Sequence, residues 1–310
     1  MTRESMTRIL CPLAVMLLLV GPPVEAQTPS TERSASAVTE RFSKTVHLDE
    51  NGTLDVTNVT GNIVVGTRAG RDVTIDAVKR VERPNPNVAR ALLAMIDVQV
   101  SEQGNRVEVR TIVPRPRNFP GAVDYTITVP ADARVSVRTT SGTIRTTNVV
   151  VDTLKVVSGD IEVTDGSADF FSASSVSGSI AVRRLNVGAM QLNTVSGSVT
   201  LDTVRAERVV ARAISGDIHY SGELAAGGRY ELVSHAGNIE VLLPAATGFQ
   251  LQANTFSGSV RSDFAVARRG RANAEELPTA SPRALRGAFG DASAMLVVRA
   301  FSGNISVSKR

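Results

Sequence analysis

The sequence predicts an all-β protein whose main body is a β-solenoid, a stack of rungs of about 19 to 21 residues each. Two observations lead to this fold class. Val, Ile, Thr, Ser and Gly are abundant while aromatic residues make up 4% of the chain and Trp is absent, a composition that favours strands and turns over helices. A Ser-Gly-polar-Ile/Val unit also recurs at a regular spacing, which is typical of stacked repeats. The spacing does not define the handedness of the solenoid or the number of strands per turn.

The repeat itself predicts how each rung is built. Its units centre on Gly142, Gly159, Gly178, Gly197, Gly216, Gly237, Gly258 and Gly303. The steps between these glycines are 17, 19, 19, 19, 21, 21 and 45 residues. Apolar residues recur two and four positions after the glycine and, with small residues, five and three positions before it, so two strands with one inward face flank a corner. Glycine suits that corner because it tolerates backbone conformations that are costly for other residues.

The N-terminus predicts export. Arg3 and Arg8 precede an apolar run over residues 9–20, and a small-residue pattern ends at Ala26, so residues 1–26 are expected to form a cleaved signal peptide. The run is too short for the roughly 20 residues that span a bilayer. The only cysteine, Cys11, lies within this segment, so disulfides and thiolate chemistry are not expected in the mature chain. We expect a periplasmic, cell-surface or extracellular protein with no transmembrane anchor after cleavage.

The remaining chain divides into three stretches by pattern. Residues 27–40 are rich in Ser, Thr and Ala and predict a flexible leader. Residues 41–135 predict a β-rich region with a short helix near 87–96, and Gly61-Asn62-Ile63 within it resembles an early copy of the repeat. Residues 136–310 are the repeat region, which an insertion at 268–292 interrupts before a final rung.

Taken together, these features resemble the bacterial putative adhesin family of unknown function. The resemblance covers roughly Phe42 to Arg310 and rests on the strand 124–130 followed by the series of Ser-Gly turns that closes with Ser302-Gly303-Asn304-Ile305. It implies a β-solenoid-like body in an envelope or extracellular protein, and it supplies no catalytic residues. The chain departs from the regular pattern at Ala236, which replaces Ser, and at the insertion.

Asp160 and Asp217 are the carboxylate pair that a polysaccharide hydrolase or lyase on this fold would use. Both follow a repeat glycine and are predicted to lie on one edge of the stack. They are three rungs apart, or about 14 Å by the strand spacing, whereas glycosidase carboxyl pairs lie roughly 5 to 9.5 Å apart. We therefore interpret them as turn residues that hydrogen-bond their own backbone, and expect no enzymatic activity.

No metal or cofactor site is predicted. His219 is expected on the outward face of its strand, and His235 is expected to be a partly buried core residue. Zinc needs several convergent ligands, and the sequence does not place any beside these histidines. Phe170, Phe171, Phe256 and Phe301 lie near positions assigned to the interior, and are expected in the core rather than in a ligand site.

The function predicted from the sequence is that of a non-enzymatic interaction module of the cell envelope or surface. Its partner is expected to be an unidentified protein or an anionic envelope polymer. The formal net charge is only +4, and basic clusters such as Arg205, Arg208 and Arg212 have acids nearby, so the surface is expected to be mixed in charge. Nucleic acid is excluded because a strong basic stripe and aromatic platforms are both missing. The alternative is a structural scaffold that self-associates end to end; Lys309 and Arg310, beside the predicted last rung, argue against it.

Overall fold

The structure is a computed structural model that describes residues 36–114, 119–265 and 283–310. The predicted signal peptide and most of the predicted leader lie outside the described residues, as does most of the insertion. The first strand begins at Ser36, so the end of the predicted leader, residues 36–40, is strand rather than flexible chain. Residues 35–310 form one compact unit.

The N-terminal third contains seven strands and the one helix of the described chain. They are β1 (Ser36–His47), β2 (Thr53–Thr60), β3 (Ile63–Thr67), β4 (Asp72–Arg83), α1 (Pro86–Leu93), β5 (Asp97–Gln103), β6 (Arg106–Ile112) and β7 (Gly121–Val129). The predicted short helix is confirmed with earlier bounds. Its N-cap is Asn85, whose side chain accepts hydrogen bonds from the backbone N–H groups of Asn87 and Val88, and Pro86 fits the first turn because no intrahelical bond is lost there.

The repeat region contains fifteen further strands. They are β8 (Arg134–Ser141), β9 (Ile144–Thr147), β10 (Val150–Ser158), β11 (Ile161–Ser177), β12 (Ile180–Ser196), β13 (Val199–Asp202), β14 (Arg205–Ser215), β15 (Ile218–Ser221), β16 (Arg229–Ala236), β17 (Ile239–Leu243), β18 (Phe249–Ser257), β19 (Val260–Ser262), β20 (Ala284–Phe289), β21 (Ala294–Ser302) and β22 (Ile305–Lys309). The predicted β-solenoid is confirmed.

The rungs stack into two mainly parallel ladders of strands that meet at the glycine corner. The pre-glycine ladder runs β5-β6-β2-β8-β10-β11-β12-β14-β16-β21-β18-β20. The post-glycine ladder runs β1-β4-β7-β3-β9-β11-β12-β13-β15-β17-β22-β19. The long strands β11 and β12 belong to both ladders, because each continues from one rung into the next. Antiparallel strands form both ends of the pre-glycine ladder and the β1 end of the post-glycine ladder, whose other end is the parallel strand β19.

We name each rung by its corner glycine. Gly61 stacks directly beneath Gly142, so β2 and β3 form the first rung and the stack begins before the predicted boundary at residue 136. At the other end, rung 303 lies between rungs 237 and 258, because β21 pairs with both β16 and β18. The final segment of the chain is therefore the penultimate rung in space. The interpretation of Lys309 and Arg310 as charges at the end of the stack was wrong.

The interior follows the predicted alternation. Residues two and four positions after the glycines are almost all buried, and so are those three and five positions before, which gives a continuous apolar core between the two ladders. Tyr220 and Tyr230 pack edge to face within it, with ring centroids 5.6 Å apart. Burial raises the pKa of both phenols. The Tyr230 hydroxyl donates to the carbonyl of Ala206 at 2.6 Å, which satisfies this polar group in the core.

A second corner lies six residues after the glycine. Asn148, Asp165, Arg184 and Thr203 occupy it in successive rungs, each with φ between 50° and 57°. Asp165 and Arg184 also form a two-bond ion pair across adjacent rungs, with nitrogen–oxygen distances of 2.6 and 2.7 Å. This bond holds the pKa of the Asp165 carboxyl below its usual range. Because none of the four residues is glycine, the sequence motif does not predict this corner.

Candidate functional site

The polar residues after each glycine connect the rungs to one another. Asp160 Oδ1 accepts a hydrogen bond from the backbone N–H of Ser179 at 2.7 Å, and Asp217 Oδ1 does the same with Asn238. Both hydrogen bonds are made with the backbone of the next rung. The prediction that these residues bond their own backbone was therefore wrong. The two carboxylates lie in rungs three steps apart, as predicted. Their role in the structure is to bridge rungs.

The repeat glycines, predicted as structural turns, allow this close stacking. A Cβ at Gly178 would lie 2.0 Å from the carbonyl oxygen of Gly159, and the other repeat glycines make the same approach to the rung before them. Their φ values, from 124° to 159°, are also unfavourable for residues with a side chain. Glycine is required at the corner for both reasons, and no ligand is needed to explain it.

The outward position two residues before the glycine carries an exposed row of mainly apolar side chains in seven of the eight repeat units, Thr140 before Gly142 being the exception. We call this row the corner ladder; in spatial order it consists of Val157, Val176, Val195, Ile214, His235, Phe301 and Phe256. Phe256 is 68% exposed, Ile214 is 54% exposed and Phe301 is 49% exposed. At the strand spacing of about 4.8 Å, seven rungs extend the row over about 29 Å. Contiguous exposed apolar surface of this kind marks an interaction site.

Three aromatic rings form the large end of the corner ladder. His235 stacks on Phe301 with centroids 4.7 Å apart and planes 5° from parallel. Phe301 stacks on Phe256 at 4.9 Å and 6°. Rung 303 brings Phe301 between the other two, so the order of the rungs creates this stack. Phe301 is covered on both faces and Phe256, at the end of the stack, on one, so the row presents mainly ring edges along its length.

These positions correct two expectations. His235, Phe256 and Phe301 are exposed rather than in the core, and so is Phe170, while Phe171 is fully buried as expected. The alternation along the strand predicts this exposure. Residues two positions before the glycine point to the same side as residues four positions before it, and that side faces outward. His219 lies on the outward side as predicted, where its Nδ1 is 3.2 Å from Glu240 Oε2. Among the described residues, no cluster of His, Cys, Asp or Glu has the geometry of a metal site.

Arginines border the large end of the corner ladder. We call Arg208, Arg212, Arg229 and Arg299 the arginine face; they project outward from the pre-glycine strands of rungs 216, 237 and 303 and are all exposed. Glu231 is the acidic residue among them, 3.3 Å from Arg212. In the described part of the chain, the other three arginines have no carboxylate within ion-pair distance. The face therefore has a net positive charge although the chain as a whole is only mildly basic.

A shallow groove lies between the arginines and the corner ladder. Its volume is about 370 Å³, with Arg212, Val233 and Arg299 on one side and Ile214, His235 and Phe301 on the other. Its floor is the strand backbone at Ala213, Ser234 and Ala300, whose buried side chains point into the core. A second groove of about 290 Å³ lies beside it, between Arg208, Arg229 and Glu231. Exposed apolar side chains, unpaired cations and both grooves thus coincide on the same three rungs.

Comparison with known proteins identifies the family. A family model described as Toastrack DUF4097 matches residues 87–308, well over half of the chain. The protein belongs to the Toastrack DUF4097 family. This confirms the sequence resemblance to a solenoid-like family of unknown function. The matched residues include the whole corner ladder and arginine face. The search of curated proteins found no match.

Solved structures from several bacteria are similar to this chain at low identity and with TM-scores below 0.5. A putative adhesin from Bacteroides fragilis is 15% identical, with a TM-score of 0.49, and the match covers 86% of this Toastrack chain and 96% of that one. A putative cell adhesion protein from Clostridium sporogenes is 11% identical, with a TM-score of 0.28, over 87% and 100% of the two chains. A putative lipid binding protein from Parabacteroides distasonis is 10% identical, with a TM-score of 0.42, over 87% and 96%. No helix among the described residues is long and apolar enough to cross a membrane.

Proposed function

We propose that this protein is an exported, non-enzymatic interaction module of the cell envelope that binds an anionic partner across the corner ladder and the arginine face. The observation that carries the proposal is the coincidence of an exposed aromatic row with cations that lack carboxylate partners. Exposed apolar surface is costly in water and is retained where a partner covers it. Unpaired cations beside it select a partner of negative charge and attract it over a distance.

The polar residues of the repeat support a role without catalysis. Asp160 and Asp217 each accept a hydrogen bond from the next rung, and rungs three steps apart place them about 14 Å from each other. That separation exceeds the roughly 9.5 Å limit of paired glycosidase carboxylates. A serine precedes seven of the eight repeat glycines, with Ala236 before Gly237, so the repeat does not single out one serine as a nucleophile. Asp160 and Asp217 are therefore too far apart to act as a general acid and a general base on one bond.

The self-associating scaffold is less well supported. At the end of the stack, β20 pairs antiparallel with β18 over residues 249–254 and occupies the outer edge of that strand. The edge of β18 is therefore not available to a second copy, which could add only to β20 or to the three-residue strand β19. Lys309 and Arg310 do not oppose this contact, because they lie on an interior rung.

A binding experiment with a polyanion tests the proposal. Fluorescently labelled inorganic polyphosphate is titrated with the purified protein and with a variant carrying glutamine at all four positions of the arginine face. We expect the variant to bind at least about tenfold more weakly, and wild-type affinity to fall as salt rises. The matched control replaces four exposed arginines elsewhere, Arg90, Arg145, Arg183 and Arg261, with the same change in net charge. Equal loss in both variants, or no binding by the wild type, would contradict the proposed surface.

A second experiment tests export. A C-terminally tagged copy is exposed to protease in intact cells and in cells with a permeabilised envelope. Digestion in either case supports export, and digestion in intact cells indicates a surface location. Resistance in both, with digestion only after complete lysis, would contradict it.

A further inference from the structure

We infer that the anionic partner is a lipid, whose acyl chain lies along the corner ladder while its acidic headgroup pairs with the arginine face. This inference rests on the proposed function and names its ligand. Three features coincide at one end of the stack: the ladder changes from valines to Ile214 and aromatic rings, the unpaired arginines appear, and the grooves open. A ligand that is both apolar and acidic uses all three.

The shape of the ladder argues against a sugar ligand. Sugars are recognised by flat aromatic platforms that present their faces. Here His235, Phe301 and Phe256 stack with planes within 6° of parallel, so both faces of Phe301 and one face of each of its neighbours are covered, and the row presents ring edges along its length. The exposed ring edges form a narrow apolar ridge. An aliphatic chain can pack along such a ridge without needing a ring face.

The spacing of the ladder argues against an extended peptide. Side chains on one face of a peptide strand repeat at about 6.6 to 6.8 Å, twice the rise per residue, whereas the ladder repeats at about 4.8 Å. A strand lying along the row would lose register within two rungs. An acyl chain has no side-chain period to match, so it can remain in contact with every rung that it crosses.

The groove supplies distinct places for the two ends of a lipid. On one side Ile214 and Phe301 are apolar, and the floor is strand backbone because the side chains of Ala213 and Ala300 point into the core. Its volume of about 370 Å³ lies at the lower end of the range for ligand pockets, which suits one chain held at the surface. Arg212 and Arg299 form the opposite side and are the nearest cations for a phosphate or carboxylate. Arginine is well suited to either group because its planar donors bind two oxygens at once.

Vesicle binding provides the test. Vesicles of phosphatidylcholine, with and without phosphatidylglycerol, are sedimented with the wild-type protein, with the variant Ile214→Ser/Phe301→Ser, and with the arginine-face variant described above. We expect binding only to the phosphatidylglycerol vesicles, reduced at least about tenfold in both variants. The control Val88→Ser/Met95→Ser replaces two exposed apolar residues near α1 and is expected to bind as wild type does. Because all four replaced side chains are at least partly exposed, folding is expected to be retained, and circular dichroism checks it.

The absence of tryptophan allows a direct readout of insertion. In Phe256→Trp the new side chain is the one tryptophan of the chain, and its emission is expected to shift to the blue on phosphatidylglycerol vesicles. In Val64→Trp, at an exposed position on the post-glycine strand β3, the emission is expected to stay unchanged.

The outcomes separate this inference from the proposed function. Polyphosphate binding that depends on the arginine face, combined with vesicle binding that does not depend on Ile214 and Phe301, would overturn the lipid and leave the anionic partner standing. Absence of binding to both polyphosphate and vesicles would overturn both. If the Ser variants instead change only the molecular mass in solution, the ladder packs against a second copy and the lipid is overturned.

Discussion

Asp217 and Asn238 occupy the same position in adjacent rungs, and Oδ1 of Asp217 accepts a hydrogen bond from the backbone N–H of Asn238 at 2.7 Å. Asn238 repeats the arrangement with Asn304, and Asn304 with Ser259. Most side chains after a corner glycine thus satisfy a backbone donor of the neighbouring rung. This explains why short polar side chains recur at this position: Asp and Asn reach the next rung with an oxygen, and Ser179 reaches Ser198 in the same way.

Replacing Asp217 with Ala is predicted to destabilise the protein by about 1 kcal/mol, since the Asn238 N–H loses its acceptor at an exposed corner. Asp217→Asn keeps an oxygen in the same place, as Asn238 and Asn304 do naturally, and is expected to change stability by less than about 0.5 kcal/mol. Urea unfolding measures both. An equal loss in the two variants would show that the charge, and not the acceptor, is what matters.

The glycine corners should be far less tolerant. Gly178→Ala is predicted to abolish folding or to cost more than about 4 kcal/mol, because the new Cβ would meet the Gly159 carbonyl at 2.0 Å in a left-handed backbone conformation. Gly66→Ala is the control, since a Cβ there meets no atom within 4 Å and the residue lies in strand β3. Thermal unfolding compares them. A folded Gly178→Ala protein with a near-normal midpoint would contradict the close stacking.

Much of this fold could be predicted from the sequence because the residue pattern of a rung repeats along the chain. The corner glycines, the inward alternation of residues such as Ile161 and Val163, and the early copy at Gly61 are all local patterns. The position of rung 303 could not be predicted, because chain order and spatial order differ there and no local pattern records which strands become neighbours. The second corner was also missed, since Arg184 and Thr203 adopt left-handed conformations that side-chain type does not favour.

Only part of the candidate site could be predicted from the sequence. The sequence shows the cluster containing Arg208 and Arg212, but the acids near it predict a surface of mixed charge. In the structure Arg229 and Arg299 join that cluster from other rungs and make it positive. The hydrophobicity of Phe301 and Phe256 favours the core, whereas the alternation along their strands places both on the outward face. Their stacking also requires the rearranged rung order, which the sequence does not reveal.

Acid is predicted to weaken the second corner. Arg184 lowers the pKa of Asp165 from its ordinary value of 3.8, so this carboxyl is more acidic in the folded than in the unfolded chain. Its stabilising contribution is complete above pH 3.8 and is lost as the pH falls below that value through the lowered pKa of the folded state. Asp165→Asn should lack this part of the acid dependence. Urea midpoints of both proteins at neutral and acid pH measure it, and parallel curves for the two would contradict the pairing.

The C-terminal segment is predicted to behave as interior structure. Ile305 is buried, and its N–H donates to the carbonyl of Ser259 at 2.9 Å. Ile305→Ala should cost about 2 to 5 kcal/mol, as Ile239→Ala should in the adjacent rung. Amide hydrogen exchange of residues 294–309 is expected to be as slow as that of β16. Fast exchange there, as in a frayed terminus, would contradict the order of the rungs.

The place of rung 303 also constrains how the molecule reaches its native state. Most rungs can fold in the order in which they are synthesised, because each one packs against the rung before it in sequence. Rung 258 cannot settle on rung 237 in this way, because the site beside rung 237 belongs to residues that are synthesised later. The apolar strands of rung 258 therefore lack their native neighbours, β21 and β22, until the last residues have been synthesised. Completion of the aromatic end is thus a post-translational event, and a chain cut short before residue 294 would leave Phe256 without the ring on which it stacks.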